Sequence, residues 1–257
     1  MGSTITVITV VYNDCTHIEE TIKSIVNQTY KEIEFIIIDG ASVDGTVDII
    51  KKYERSIDYW VSEKDKGIYD AMNKGIAVAT GAYTIFMNSG DTFYNEHVLA
   101  DIFNQPEIQQ ELPDIIYGDT YIRHRPYLVL KKADQVPVSD NAMPFCHQSV
   151  FIITSHLKKY HFNLSYRIIG DRELITRLYL DKCKYRYINQ AISIIEGDGF
   201  SNRSRLAYQL EENRMLLDFK LITKGKARIN EKKAWIKDLL SNLVPTKVLQ
   251  LKRRYKT

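Results

Sequence analysis

The feature of this sequence that most limits its fold is a pair of apolar runs that do not alternate. Ile5–Tyr12, and Phe35–Ile38 within a strand over Ile33–Ile38, are runs of β-branched and other apolar residues without alternation, so each strand must be covered on both faces. Between them Ile18, Ile22, Ile25 and Val26 recur at helical spacing behind Thr16-His17-Ile18-Glu19, a pattern that predicts a capping box and an amphipathic helix. Val47 and Ile50 mark a second helix from near Asp44, and Asp58–Ser62 reads as a third strand. Ile68, Met72, Ile76 and Ala79 form a third helical stripe that Gly81 ends, and Ala82–Asn88 is a fourth strand. This alternation predicts an α/β fold with a mostly parallel sheet flanked by helices.

The pattern then changes. Asp114–Tyr117, Tyr127–Lys131, Tyr185–Ile188 and Ile192–Ile195 are predicted strands, and Asp171–Leu180, Arg203–Thr223 and Glu231–Leu243 predicted helices. Pro245 separates a last helical stretch, Lys247–Tyr255. Neither an internal repeat nor a linker composition interrupts the chain. We therefore expect one catalytic domain, residues 1–204, followed by a C-terminal basic amphipathic helical extension, residues 205–257.

The 257 residues, 44% hydrophobic and 26% charged, exclude a disordered or low-complexity chain. The longest apolar runs are too short to cross a bilayer, and Met1–Thr4 has neither the basic start nor the apolar segment of a signal peptide. Cys15, Cys146 and Cys183 are few and widely spaced, which suits a reducing cytosol better than a disulfide framework. In that compartment the glycosylation patterns at Asn27, Asn163 and Asn202 carry no weight, and the myristoylation pattern at Gly2 runs straight into a buried strand. From Lys220 to Thr257 there are 12 lysines and arginines against 2 acids, whereas the first 219 residues hold 23 against 30. A basic tail on an acidic body points to a polyanionic surface, and the acidic body argues against a nucleic-acid channel.

In open parallel sheets ligands bind beyond the carboxyl ends of the strands. Each of the four strands delivers an acid to that edge: Asp14 after Tyr12-Asn13, Asp39, then Glu63 and Asp65, then Asp91. Such a concentration of negative charge needs a cation or a donor-rich ligand, although Asp14 and Asp44 also suit helix caps. No Gly-rich phosphate loop is present, which leaves a metal bridging phosphates as the common alternative.

Four segments occur in order: Thr9-Val10-Val11-Tyr12-Asn13, Ile37–Thr46, Asp65–Gly75 and Phe86-Met87-Asn88-Ser89-Gly90-Asp91. Together they resemble the family 2 glycosyltransferases of the GT-A (Rossmann-like) fold, especially the branch that builds bacterial capsule and exopolysaccharide. The resemblance covers residues 4–200. It implies an inverting, metal-dependent transfer of a sugar from a nucleotide-sugar donor, UDP-sugar favoured, to an acceptor hydroxyl. Carried onto this chain, it has Thr9, Val10 and Tyr12 lining the base pocket and Asp39 accepting a hydrogen bond from the base. Asp65 and Asp70 border the nucleotide and donor sugar, with Lys74 nearby. Asn88–Asp91 occupies the place of the family's acid-rich metal motif, but offers a single carboxylate. Asp91 is then the expected ligand of a Mg or Mn divalent cation, a reduced form that the related branch shares.

Further segments, Pro144–Ser149 and Tyr166–Glu173, also resemble the family. Asp171 matches the catalytic base, and its place before a helix favours the ionised form. Glu173 is the substitute base, while His147 and Gln148 are candidates to contact acceptor or diphosphate. Ile195–Ser201 resembles the segment that closes over the donor, and Asp119 is ambiguous. Trp235, Ile236, Leu239, Leu240, Leu243, Val244, Val248 and Leu251 form an apolar stripe among lysines. It suits an anionic membrane that presents a lipid-linked saccharide acceptor, a helix docked on its own domain, or a homodimer. A nucleotidyltransferase, a nucleotide-binding protein without catalysis and an inactive transferase homologue remain the competing classes. The cytoplasm, or the inner face of its membrane, is the expected location.

Overall fold

The computed structural model describes residues 3–124, 126–134, 145–197 and 205–243. It divides into two compact units, Met1–Gly197 and Asp198–Thr257. Residues 198–201 of the expected donor-closing segment lie outside the described residues, as does the helix expected at Lys247–Tyr255.

The first unit is built on one mixed sheet. β1 (Ile5–Val11) pairs in parallel with β2 (Ile33–Asp39) and with β4 (Tyr83–Phe86), and β2 pairs in parallel with β3 (Tyr59–Ser62). Beyond β4 the sheet departs from the parallel pattern: β8 (Val150–Ile153) runs antiparallel to β4 and to β6 (Ile115–His124). β9 (Tyr185–Glu196) joins β6 in parallel, and β5 (Thr92–Phe93) and β7 (Tyr127–Lys131) add antiparallel edges to β9 and β6. The two short strands expected at 185–188 and 192–195 are one strand, with an irregular register opposite Tyr117–Thr120.

Two apolar clusters explain the missing alternation. Ile5, Val7, Val11, Phe35 and Ile37 pack with Ile18, Ile22 and Ile25 of α1 (Ile18–Val26) and Ile50 of α2 (Thr46–Lys52). The intervening Ile8, Val10, Ile36 and Ile38 pack with Met72 and Ile76 of α3 (Ile68–Val78). Three helices were missed in the sequence: α4 (Val98–Phe103), α5 (Pro106–Glu111) and α6 (Thr154–Tyr160). Each is two turns or fewer, too short for a periodic signal. The capping box also fails to form. His17 occupies the N-cap without a side-chain capping bond, and the Thr16 hydroxyl donates to Asp14 instead.

At the edge where β1, β2 and β4 begin, one carboxylate fastens three segments. Glu34 accepts from Thr6 Oγ1 at 2.5 Å, from Thr80 N and Oγ1 at 2.7 and 2.6 Å, and from Gly81 N at 3.2 Å. Burial opposes its ionisation, but these bonds outweigh it and hold the carboxyl below its usual pKa. A depressed carboxylate stabilises the fold above its unfolded pKa and loses that contribution as pH falls through the folded value. Glu34→Ala is therefore expected to cost about 1–2 kcal/mol near neutrality and less in acid, the half-exposed side chain keeping the value low. Urea unfolding of both proteins across pH measures it.

The second unit pairs α8 (Arg205–Asp218) with α9 (Lys224–Leu243). The Asn213 amide donates to Ala227 O at 2.9 Å and to Glu231 Oε1 at 3.1 Å, locking their register. Ala227 and Ala234 of α9 are buried, whereas Ile229, Trp235, Ile236 and Leu239 are exposed.

Candidate active site

The carboxyl ends of β1, β2 and β3 converge, and the backbone there is strained. Asn13 and Ala41 both hold positive φ, at 48° and 65°, conformations kept only where surrounding bonds enforce them. The Asn13 side chain accepts from Val43 N at 2.9 Å, and Asn13 N donates to Ser42 Oγ at 2.7 Å. Asp39 is fully buried and accepts from Ser42 N at 2.9 Å, Ser42 Oγ at 2.5 Å and Ser62 Oγ at 2.6 Å. Three donors thus answer one carboxylate, and an acceptor site remains for an incoming N–H. Beside it Gly40 lets Tyr12 and Asp65 close in: a Cβ there would lie 2.6 Å from Asp65 Oδ2 and 3.2 Å from the Tyr12 ring. Tyr12 is two-thirds exposed at the rim, while Thr9 and Val10 lie buried beneath it. Thr9 Oγ1 has no hydrogen-bond partner.

The acids at this edge are not bare charges. Asp14 accepts from Ser89 Oγ at 2.7 Å and faces His17 Nδ1 at 2.6 Å. Asp44 accepts from Thr46 N and Oγ1 and from Cys15 N, and these bonds hold its pKa far below the usual range. Asp65 accepts from Gly67 N at 2.8 Å and Asp70 from Lys66 N at 2.9 Å, which shapes the turn into α3. Lys74 is engaged with Glu63 Oε1 and Lys64 O, both at 2.8 Å, and so ties α3 to the end of β3.

A second group gathers around one short turn, His147–Ser149, before β8. His147 Nε2 lies 3.2 Å from Asn88 Nδ2, and its Nδ1 lies 3.3 Å from Asp171 Oδ2. The neighbouring Gln148 amide donates to Asp91 Oδ2 at 2.9 Å. The expected metal segment and the expected base are therefore joined through two consecutive side chains.

Asp171 lies in the first turn of α7 (Gly170–Leu180), whose N-cap is Ile169. Its carboxylate accepts from Arg172 N at 2.8 Å and from the Tyr69 hydroxyl at 3.3 Å. Burial acts to raise its pKa, but the bond and charge of His147, with the Arg172 N–H and Tyr69, lower it below the usual value. Tyr69 was not singled out in the sequence, although it stands inside the Asp65–Gly75 segment. It reaches Asp171 because Gly170 admits its ring, which a Cβ would meet at 2.7 Å. Glu173 is buried and committed to Arg177 at 2.8 Å, which also holds the carbonyls of Tyr160 and His161. It serves to fasten α7. Asp119, buried, accepts from Ala133 N and the Tyr187 hydroxyl and is likewise structural.

Asp91 is 7% exposed, and burial, opposed by Gln148 and His147, pushes its pKa up to about 6. Asn88 Oδ1, three residues before it in the same turn, is buried with no hydrogen-bond partner. A desolvated carboxylate and an unsatisfied amide oxygen suit a hard cation such as Mg²⁺ or Mn²⁺. Among the described residues this crevice holds no group of three or more closely spaced His, Cys, Asp or Glu donors. A cation here would need the oxygens of a bound diphosphate.

The sign of the Asp91 shift makes a prediction. The folded protein binds this proton more tightly than the unfolded chain, so stability falls as pH rises from about 4 to about 6 and stays lower above that. The shift of about two units caps the loss at about 3 kcal/mol. Asp91→Asn, without added metal, should remove that fall and be more stable than the parent at pH 7–8. Thermal unfolding against pH reads this out, and a parallel fall in both proteins would contradict it.

Comparison with known proteins identifies the family. The sequence profile of glycosyl transferase family 2 matches residues 6–165. A PGL/p-HBAD biosynthesis glycosyltransferase of Mycobacterium bovis is 30% identical over 189 residues, 70% of this chain and 72% of its own length. An uncharacterised glycosyltransferase of Mycobacterium tuberculosis is 44% identical over 98 residues, 38% of this chain and only 37% of its own length. The match thus spans little more than a third of that relative. Among solved structures, residues 1–349 of S. aureus TarS in complex with UDP-GlcNAc superpose with TM-score 0.67 and 16% identity, covering 90% of this chain and 71% of that one. A mannosyltransferase of Pyrobaculum calidifontis, in complex with GDP-Man and Mn²⁺, superposes with TM-score 0.62 and 15% identity over 99% of this chain and 80% of that one. These structures share the GT-A-like architecture. With its profile match running through most of the first unit and a relative aligned over most of its length, the chain belongs to glycosyl transferase family 2.

Proposed function

We propose that this chain transfers a sugar from a nucleotide-sugar donor, a UDP-sugar by preference, to an acceptor hydroxyl with inversion at the anomeric carbon. The observation that carries the proposal is the chain Asn88–His147–Asp171–Tyr69, which sets a carboxylate kept ionised next to the Asp91 turn. The base would stack at Tyr12 and donate its imide N–H to Asp39, with Thr9 and Val10 supporting that floor. Asp65 and Asp70 shape the loop beside the nucleotide and donor sugar, and Lys74 fixes it. Asp91, with Asn88 Oδ1, would hold a divalent cation that neutralises the leaving diphosphate. Asp171 takes the proton of the acceptor hydroxyl as that oxygen attacks, and His147 and Gln148 keep the two carboxylates in register. Relatives and neighbours support the donor class: one neighbour holds UDP-GlcNAc and another GDP-Man with Mn²⁺. Surface polysaccharide or glycolipid assembly is the setting proposed, with residues 1–204 as the catalytic part.

A panel of nucleotide sugars with purified protein, with and without Mn²⁺, tests this reading. Metal-dependent release of UDP from one member is expected. Asp171→Asn should lower transfer by about 10²–10⁴-fold while leaving donor binding intact. Removing His147 removes what lowers the Asp171 pKa, so the acidic limb of the kcat/KM profile should move to higher pH in His147→Ala. Full transfer by Asp171→Asn, or no nucleotide bound by the parent, would overturn the proposal.

We further infer that residues 205–257 bring the enzyme to the inner face of an anionic membrane, where a lipid-linked saccharide acceptor would be met. Among the described residues no helix is long and apolar enough to span a membrane. In α9, however, the buried positions are the small Ala227 and Ala234, and the large side chains Ile229, Trp235, Ile236 and Leu239 face out at helical spacing. Arg228, Lys232, Lys233 and Lys237 are exposed among them, each cation worth about 1 kcal/mol at an anionic surface. The full chain should sediment with vesicles containing phosphatidylglycerol but not with phosphatidylcholine alone, and less so in high salt. Trp235→Ser with Ile236→Ser should abolish this. Unchanged vesicle binding would remove the inference, as would self-association through the same residues in place of vesicle binding.

A further inference from the structure

At the sheet edge opposite the crevice three different donors meet from three elements. Asp114 immediately precedes β6, His156 is in α6, and Cys183 lies in the turn between α7 and β9. Ile115 pairs with Ile152 and Tyr185, and Ile153 with Tyr83 at the start of β4. That register puts the group where the parallel strands begin, whereas Asp39 and Asp91 follow strand ends.

The contacts are close. His156 Nε2 lies 3.0 Å from Asp114 Oδ1 and 3.9 Å from Cys183 Sγ, and all three donor atoms fall within 4.8 Å of one another. Asp114 Oδ2 is already taken by Lys184 N at 2.7 Å, so Oδ1 is the oxygen turned to the imidazole. Cys183 is presented by a helix end with Lys182 at φ 59°, closed by Lys182 N to Tyr179 O and Cys183 N to Leu178 O. This is a Schellman ending in which lysine takes the position that glycine prefers. Lys159, exposed beside the turn, faces Asp181 and the Tyr160 hydroxyl.

A plain ion pair accounts for Asp114 and His156 but not for the thiol. One imidazole nitrogen faces an oxygen at 3.0 Å and a sulfur at 3.9 Å, and an N–H aimed at the nearer oxygen does not engage the sulfur equally well. A metal ion can engage all three. Tetrahedral zinc with S at about 2.3 Å and N and O at about 2.0–2.1 Å sets edges of about 3.6 Å for S···N and about 3.3 Å for N···O, near the two separations observed. We propose that Asp114, His156 and Cys183 form a binding site for Zn²⁺ or a similar borderline cation, with water in the fourth position, distinct from the donor crevice. The bound ion would tie the start of β6, α6 and the end of α7 together; α7 carries Asp171 on its first turn. On binding, the thiol proton leaves to solvent and the thiolate sulfur becomes a ligand, so one proton is released per ion.

Cobalt titration of the chelator-treated full chain tests this directly. One equivalent of Co²⁺ should give a thiolate-to-cobalt charge-transfer band and visible bands of tetrahedral intensity, both displaced by Zn²⁺. Cys183→Ser and His156→Ala should each abolish the charge-transfer band, with far-UV circular dichroism and nucleotide binding retained as evidence of folding. Cys15→Ser and Cys146→Ser should leave it unchanged. No thiolate band at stoichiometric Co²⁺, or a band that survives Cys183→Ser, would overturn the site. Neither outcome depends on the donor reading, which is measured separately by nucleotide binding.

Discussion

Burial of β1 and β2 on both faces is the constraint from which the rest follows. Each residue from Ile5 to Val11 is buried, with odd and even positions feeding different apolar clusters. A polar group midway along such a strand has few partners: Thr9 Oγ1 has none, whereas Thr6, near the strand's start, reaches Glu34. Polar chemistry is therefore confined to the strand ends, where the chain leaves the sheet. The same constraint forces the loops there to satisfy one another. Asn13 binds the loop after β2, Ser42 and Ser62 bind Asp39, and the positive φ of Asn13 and Ala41 is held by those bonds. The crevice is thus made rigid by the residues that also line it.

How much of this could be read in the sequence follows from what the sequence encodes locally. The first four strands and three helices were legible because apolar positions repeat over enough residues to declare a period. The short α4, α5 and α6 offer too few repeats, and the continuity of β9 depends on β6, which is distant in sequence. The capping box at Thr16 did not form, and Asp14, only two residues away, offers that hydroxyl a carboxylate. Asp39, Asp91 and Asp171 were singled out as candidates from the resemblance of the ordered motifs. Their pairing was not, since His147 meets Asn88 across 59 residues and Tyr69 meets Asp171 across 102. The tail expectation stands differently: the apolar stripe was legible, but only the structure shows that its described part faces out while alanines face in.

The electrostatics of the two carboxylates diverge although a single turn serves both. Asp171 is drawn down by an imidazole, a backbone N–H and a phenol, whereas Asp91, nearly sealed from water, has chiefly one amide and is pushed up. Groups set apart in this way suit different tasks: one ready to accept a proton, the other in need of positive charge to ionise. On the proposed reading a cation would offset the cost of burying Asp91, and the turn would be a place where stability is exchanged for binding.

Asparagine at position 88 fits this division. Its amide can donate to His147 Nε2 while His147 Nδ1–H donates to Asp171. The amide oxygen is then left over, as observed. A carboxylate at the same position would call for an Nε2–H instead, and it would compete with Asp171 for that ring. It would also add a third negative group to a crevice that already struggles to ionise Asp91. On the proposed reading, then, the asparagine is coupled to the histidine that holds Asp171: an uncharged oxygen beside Asp91 would contribute to cation binding without taking His147 away from Asp171.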